Sequence, residues 1–576
     1  MNQNELKYDV LIVGGGIAGL TAGVRAAELG LKPLVLEQGD GIDYPNNSRQ
    51  SGGILHIGFH DPYRPPQELE QIIERITEAE AKPELARALS QTGARLISWL
   101  QGHGAKFMRF NPQEGYRWCM APPRALRAGL DWKERGPDLT LRRLAKDLAA
   151  QGGMLQLRTK VMALEMEGGR CIGVRTTCDG RFKIYSAPYT IIADGGFQSN
   201  RKFFEKYIGT KFDAVFQRGA RTGFGDGLSM ALDAGAAVTT GNRFYGHVLC
   251  SDAKHNDQVW PYPEVDAIAT AGLVVDGTGK RIVDEGVSGV HLANELAAHA
   301  TTEKLFAVFD STIWAGPGTS ARIPANPLLE NAGGTILRAQ SAHELAELMG
   351  VPGDALASTL TEFNQALLQD KLESLAVPRS TKIQAFAIEH APLMAIPVCP
   401  GITYTMDGID IDGQAQVLDA DKKPIAGLFA AGATTGGLEG GKNSAYIGGL
   451  IKAGSFGLIA AERIATLEGK AFTVIQPQAT TQIPVKVKEN KLTAHSEPKG
   501  IEQFPILRTT IRYGKPIAYV MSALLGLFVY FLISSTTGLL AVPLSIAFSL
   551  VVLVLTLGLV ELIKLITQFL MPDQNS

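Results

Sequence analysis

Three glycines and one acid open the chain in an arrangement suited to holding a dinucleotide. In Tyr8–Gln38, YDVLIVGGGIAGLTAGVRAAELGLKPLVLEQ, Gly14, Gly16 and Gly19 make a G-x-G-x-x-G run, and Glu37 closes the next apolar segment. The first glycine permits a tight turn, the second a close backbone approach to a pyrophosphate, the third close helix–strand packing. A carboxylate at the place of Glu37 accepts hydrogen bonds from a ribose diol and disfavours a 2′-phosphate. These residues need three elements to position them: a buried strand over Val10–Val13, a helix whose positive end faces the phosphates, and a strand over Pro33–Leu36. By itself the pattern leaves FAD and NAD both open.

Further stretches carry small or polar residues suited to the rest of such a ligand. NNSRQSGG places Ser51, Gly52 and Gly53 in a loop, TIIADGG ends a second buried strand on Asp194 and Gly195, and GFGDGLSMALDAGAA opens a helix near Asp226. Far downstream, GLFAAGATTGGLEGGKNSAYIGG contains Gly432 and Tyr446 and leads through Leu450 into a helix of small residues. Between them, RFYGH holds Arg243, able to grip a carboxylate bidentately, and His247, able to bind a carboxylate or carbonyl or to act as a base. Arg281 and Glu285 in RIVDE read as a structural ion pair. Helical spacing marks Pro66–Gly104, Leu139–Ala150 and Ala342–Gln369, and strand-like segments fill Met154–Leu157, Val161–Met166 and Cys171–Thr176.

The chain has 576 residues, a formal net charge of −2 and 63 glycines. Such a balance gives no reason to expect nucleic acid as a partner. Its five cysteines form no CxxC or CxxCH, so no iron–sulfur or c-type haem site, and no metal site, is expected. The N-terminal MNQNELKYD carries no apolar signal segment. Ile517–Ser535 and Leu539–Val560 are uncharged apolar runs, each near the roughly 20 residues that cross a bilayer as a helix. Arg508, Arg512 and Lys515 precede the pair and Lys564 follows it. The expectation is a two-helix transmembrane hairpin in the cytoplasmic membrane, both ends and the large domain facing the cytoplasm.

The motifs VGGGIAGL, NSRQSGG, ADGGFQSN, GDGLSMALDAGA, GLFAAG and YIGG together resemble the FAD-dependent oxidoreductase 2 family over about Tyr8–Ile464. That family includes fumarate reductase and succinate dehydrogenase flavoproteins, ketosteroid dehydrogenases and tricarballylate dehydrogenase. GNRFYGHVL, ATAGLVVDGTGKRIVDEG and CPGITYTMDGIDID are most similar to the tricarballylate dehydrogenase branch. The resemblance implies an α/β fold: a Rossmann-like FAD-binding domain from 1–240 and 397–466, an inserted α+β substrate cap over 241–396, a linker over 467–515 and the hairpin over 516–565. It places Glu37 on the adenosine ribose, Val161 at the adenine, Ser51, Gly52 and Gly53 along the pyrophosphate and flavin, Gly432 at the ribityl chain and Leu450 at the isoalloxazine. Asp194, Gly195 and Asp226 complete the cofactor set. No histidine lies between Gly41 and Gly53, so FAD is expected to bind non-covalently.

On the substrate side the chain departs from the fumarate reductases. Their histidine before a Tyr-Thr-Met-x-Gly run is Thr403 here, and their arginine before the last two glycines is Tyr446. Ketosteroid dehydrogenases carry a tyrosine at the place of Tyr446. A phenolate-like oxygen there, given a lowered pKa, removes or relays a substrate proton; otherwise the residue simply packs under the flavin. Tyr446 and His247 are thus the candidate catalytic residues, with Arg243, Thr403 and Tyr404 on the substrate. The resulting expectation is a membrane-anchored dehydrogenase or reductase acting on an α,β double bond of a small polycarboxylate, passing electrons to a quinone or membrane partner. The alternatives are an enzyme on a lipophilic ketone and a flavin electron-transfer module without substrate chemistry.

Overall fold

The computed structural model describes residues 8–110, 113–299, 304–478, 518–519, 521–525, 527–532 and 540–570. Residues 1–480 form one compact unit and 481–576 a second.

The first unit is built on a six-stranded sheet in the order 416–418, Pro424–Ala430, Tyr189–Ile192, Val10–Val13, Pro33–Leu36, Met154–Gln156. All neighbours pair in parallel except the first two strands. Val10–Val13, Pro33–Leu36 and Tyr189–Ile192 are buried at every position, which is why they read as unbroken apolar runs. Parallel pairing forces crossovers, and the helix Ile17–Glu28 supplies the first of them. It packs against the long helix Gly449–Leu467, which returns the chain to the N-terminal strand after more than 400 residues. Two glycines make the opening turn possible. Gly14 sits at φ +102°, and a Cβ on Gly19 would lie 1.9 Å from the Gly14 carbonyl oxygen. The three strands Lys160–Glu167, Arg170–Cys178 and Arg181–Ser186 form a separate antiparallel meander.

A second sheet is centred on the 13-residue strand Leu393–Thr405, which pairs with Phe244–Cys250, Leu305–Asp310, 216–217 and 337–339. This strand runs straight through the expected boundary between cap and FAD-binding segment at 396/397. Tyr404 therefore stays in this sheet, opposite Tyr245, with Thr403 at the register irregularity beside it. Arg281 and Glu285 are an ion pair as expected, Nη2 to Oε2 2.6 Å, with the carboxylate fully buried. The helical run Ala342–Gln369 is two helices, Ala342–Met349 and Gly353–Leu368, parted where Gly350 turns left-handed at φ +66°.

The expected linker begins as anchored chain. Arg25 and Arg95 donate to the carbonyls of Thr473 and Ile475, and the Gln478 amide donates to Ser98 Oγ. The remainder of the linker and the basic residues Arg508, Arg512 and Lys515 lie outside the described residues. The transmembrane hairpin finds no support. Among the described residues no helix is long and apolar enough to cross a membrane. The first run is described only in short pieces, and the turn between the runs lies outside the described residues.

Candidate active site

One cavity of about 630 Å³ runs through the first unit, within the range of cofactor and ligand sites. Gly14, Gly15, Gly16 and Glu37 line one end of it, and Tyr245, His247 and Tyr446 line the other.

At the first end both Glu37 oxygens are fixed by backbone amides, Oε2 accepting from Gly15 and Oε1 from Gly39 at 2.8 Å each. This holds the carboxylate rigidly at the mouth of the glycine turn, with lone pairs left for a diol. Val161 and Asp226 line the same region, Asp226 paired with Lys160 at 2.9 Å. The loop with Ser51, Gly52 and Gly53 is tied down by a buried ion pair: Arg49 and Asp138 meet at 3.0 Å, both wholly inaccessible. Gly195 (φ +95°) and Gly432 (φ +90°) bring backbone to the wall, and Leu450 lies beside them. Gly19 does not touch the cavity; it serves the turn, as its spacing implies.

Several buried polar atoms on this wall have no partner among the described residues: Asn46 Nδ2, Gln50 Oε1, Asp194 Oδ1 and Gln198 Oε1. Buried polar groups are almost always hydrogen-bonded, so such a string of orphans facing one cavity fits a polar ligand of extended shape. Asp194 is the strongest case. Burial pushes its carboxyl up to about 7, although the Gly227 amide donates to Oδ2 at 2.7 Å. A glycine turn, a fixed acid and a row of orphaned donors and acceptors suit an adenine dinucleotide.

The other end is assembled from two distant segments. Tyr245 and His247 alternate on the strand Phe244–Cys250, so both side chains leave the same face. Asp266 bonds His247 Nδ1, and His247 Nε2 lies 3.0 Å from the Tyr245 hydroxyl. The carboxylate fixes the proton on Nδ1, which leaves Nε2 as acceptor from the tyrosine. Tyr446, from the late glycine stretch, stacks on Tyr245, and its hydroxyl accepts from the Gly449 amide at 3.0 Å. Burial pushes the Tyr245, Tyr404 and Tyr446 phenols well above their ordinary value of 10. This reverses the lowered pKa considered for Tyr446: with too little water to stabilise a phenolate, it keeps its proton. Behind it, His56 stacks on Phe59 and meets Tyr446 edge-on; burial brings its imidazole down to about 4, so it stays neutral.

Of the other expected substrate residues, Thr403 and Tyr404 line the cavity and Arg243 does not. Thr403 Oγ1 accepts from Arg218, which is itself paired with Glu264. The Tyr404 hydroxyl donates to Glu439, a buried carboxylate that also pairs with Lys452 and accepts from the Ile447 and Gly448 amides. Arg243 is turned away: its donors go to the Gly441 and Lys442 carbonyls and to Glu295, so it braces the late glycine loop instead of meeting substrate. Sequence reasoning missed Tyr245, Asp266, Arg218, Glu264 and Arg322. Only Tyr245 had a local signal, two positions before His247 on a strand; the others reach the cavity through tertiary folding.

Fold and cavity together define a flavoprotein in which a second sheet covers one end of a dinucleotide cradle. The chain belongs to the FAD binding domain family (FAD_binding_2), whose model matches residues 9–446, and FAD is its cofactor. It is 26% identical over 441 residues to the NADH:fumarate oxidoreductase of Klebsiella pneumoniae, covering 75% of this chain and 45% of that one. It thus spans less than half of that relative. The fumarate reductase (cytochrome) of Shewanella frigidimarina is 25% identical over 448 residues, 75% of this chain and 72% of the relative. Among solved structures, the 3-ketosteroid delta1-dehydrogenase of Sterolibacterium denitrificans shares the fold, with a TM-score of 0.62 and 20% identity over 80% of this chain and 100% of that one.

Proposed function

We propose that the chain is an FAD-dependent oxidoreductase that forms or reduces an α,β carbon–carbon double bond in a small polycarboxylate of the tricarballylate type. The observation that carries this reading is the linked set Asp266, His247, Tyr245 and Tyr446, in one cavity with the dinucleotide cradle. Relatives named for fumarate, an unsaturated diacid, support the same chemistry.

FAD, when bound, would supply the two-electron chemistry, exchange of a hydride with the β carbon. The residues of the chain handle the proton. Tyr446, protonated and itself receiving the Gly449 N–H, donates to a carboxyl or carbonyl oxygen of the substrate and so acidifies the α carbon. Tyr245 takes the α proton as its own passes to His247 Nε2, with Asp266 stabilising the imidazolium. Reduction runs the same transfers backwards. A lipophilic ketone is the second reading, favoured by the held proton of Tyr446, which suits a neutral carbonyl oxygen.

Attachment of the C-terminal segment to the cytoplasmic membrane, with the catalytic unit on the cytoplasmic side, rests on the two uncharged runs and their basic flanks. A quinone or membrane redox partner would then be the electron acceptor or donor. Anaerobic mixing of the flavoprotein with tricarboxylates and, separately, with 3-ketosteroids tests the reading. Bleaching of the flavin by the acids supports it, and bleaching by ketones alone gives the second reading the place of the first.

A further inference from the structure

We infer that Arg322 is the carboxylate anchor of the substrate, which makes the natural substrate an acid and not a neutral ketone; this rests on the reading of the cavity as an oxidoreductase site. Three other cations line the cavity, and each already holds a carboxylate: Lys160 with Asp226, Arg218 with Glu264, Lys452 with Glu439. Arg322 lines it too, and among the described residues no carboxylate pairs with it.

The guanidinium is nonetheless held in place. Nη1 donates to the Gly52 carbonyl at 2.7 Å, and the Phe110 ring lies 4.3 Å from the guanidinium carbon. Among the described residues Nη2 has only a 4.0 Å contact to the Cys119 sulfur, and Nε is buried with no partner. Nε and Nη2 are the edge of a guanidinium that takes a carboxylate through two parallel bonds. Arg322 lines the same cavity as His247 and Tyr446, held against the Gly52 loop. No segment of the FAD cradle contributes Arg322; it comes from the inserted cap, between two short helical turns.

The test uses purified FAD-loaded protein and follows the flavin spectrum as tricarballylate, succinate or a neutral cyclic ketone is titrated in. Loss of a charge-assisted pair predicts that Arg322→Gln raises the dissociation constant for both acids about 10- to 100-fold. FAD content and ketone affinity stay unchanged. Arg322→Lys, which keeps the charge but not the fork, falls between and covers a failure of the first variant to fold. Equal acid affinity in wild type and variants overturns the assignment and leaves the oxidoreductase reading intact. Loss of FAD from the variants overturns it as well, assigning Arg322 to the cofactor. If no acid perturbs the wild-type flavin while ketones bleach it, both the anchor and the polycarboxylate reading fall.

Discussion

Tyr245 and Tyr446 lie face to face, ring centroids 3.9 Å apart and planes within 16°, although some 200 residues separate them along the chain. One comes from the cap sheet and the other from the glycine stretch before the last helix. Their contact joins the two halves of the site, and each hydroxyl is differently held: Tyr245 by His247, Tyr446 by the Gly449 amide.

Removing either hydroxyl should slow flavin reduction without loosening FAD. Tyr446→Phe deletes a donor to the developing charge on the substrate oxygen, and such deletions cost about 10²–10³ in rate. Tyr245→Phe removes the proton-transfer group, a loss of about 10²–10⁴. Stopped-flow reduction with FAD content measured in parallel checks both. Full rates in either variant would remove that tyrosine from the mechanism.

His247 and Asp266 should behave as one device. His247→Gln and Asp266→Asn are each expected to slow reduction about as much as the two together, because the aspartate serves the proton transfer through the imidazole, its other oxygen holding the Val248 amide. A double-mutant cycle on the reduction rate gives the answer, and simple additivity would break the relay into unrelated parts.

Lys452 and Glu439 form a buried pair under the loop that presents Tyr446. Lys452→Met strands the Glu439 carboxylate and should cost about 3–5 kcal/mol of stability, whereas Lys452→Met with Glu439→Gln recovers much of it. Denaturant unfolding of the three proteins measures this, with equal loss in single and double variants as the opposing result.

Asp194 gives a pH signature. Burial raises its carboxyl from 3.8 in the unfolded chain to about 7 in the folded one, so the folded protein holds the extra proton. The associated stability is complete below pH 3.8 and is lost as pH rises through about 7. FAD-free protein should therefore lose Tm between these limits relative to Asp194→Asn, which cannot ionise. Parallel Tm profiles for the two would show that Asp194 ionises freely.

Much of the cofactor half was legible because local rules decide it. Val10–Val13, Gly14 and Glu37 belong to one continuous strand, turn, helix and strand, and their roles follow from sequence spacing alone. The substrate half was read less well, since its residues converge from separate elements of the cap. Arg243 looked suitable by charge and by nearness to His247, but it lies just before the strand Phe244–Cys250, where its donors reach the Gly441 and Lys442 carbonyls and Glu295. Arg322 carried no motif at all. The direction of the Tyr446 shift was likewise invisible, because it depends on how completely the neighbouring rings exclude water.

A single anaerobic turnover decides whether this chain forms the α,β double bond. FAD-loaded protein is mixed with excess tricarballylate, the flavin absorbance is followed, and the quenched mixture is assayed for the unsaturated acid. Loss of the oxidised flavin band is expected, with one unsaturated product formed per flavin reduced. Fully loaded protein whose flavin stays oxidised with every carboxylate, yet is reduced by a protein donor, would contradict it.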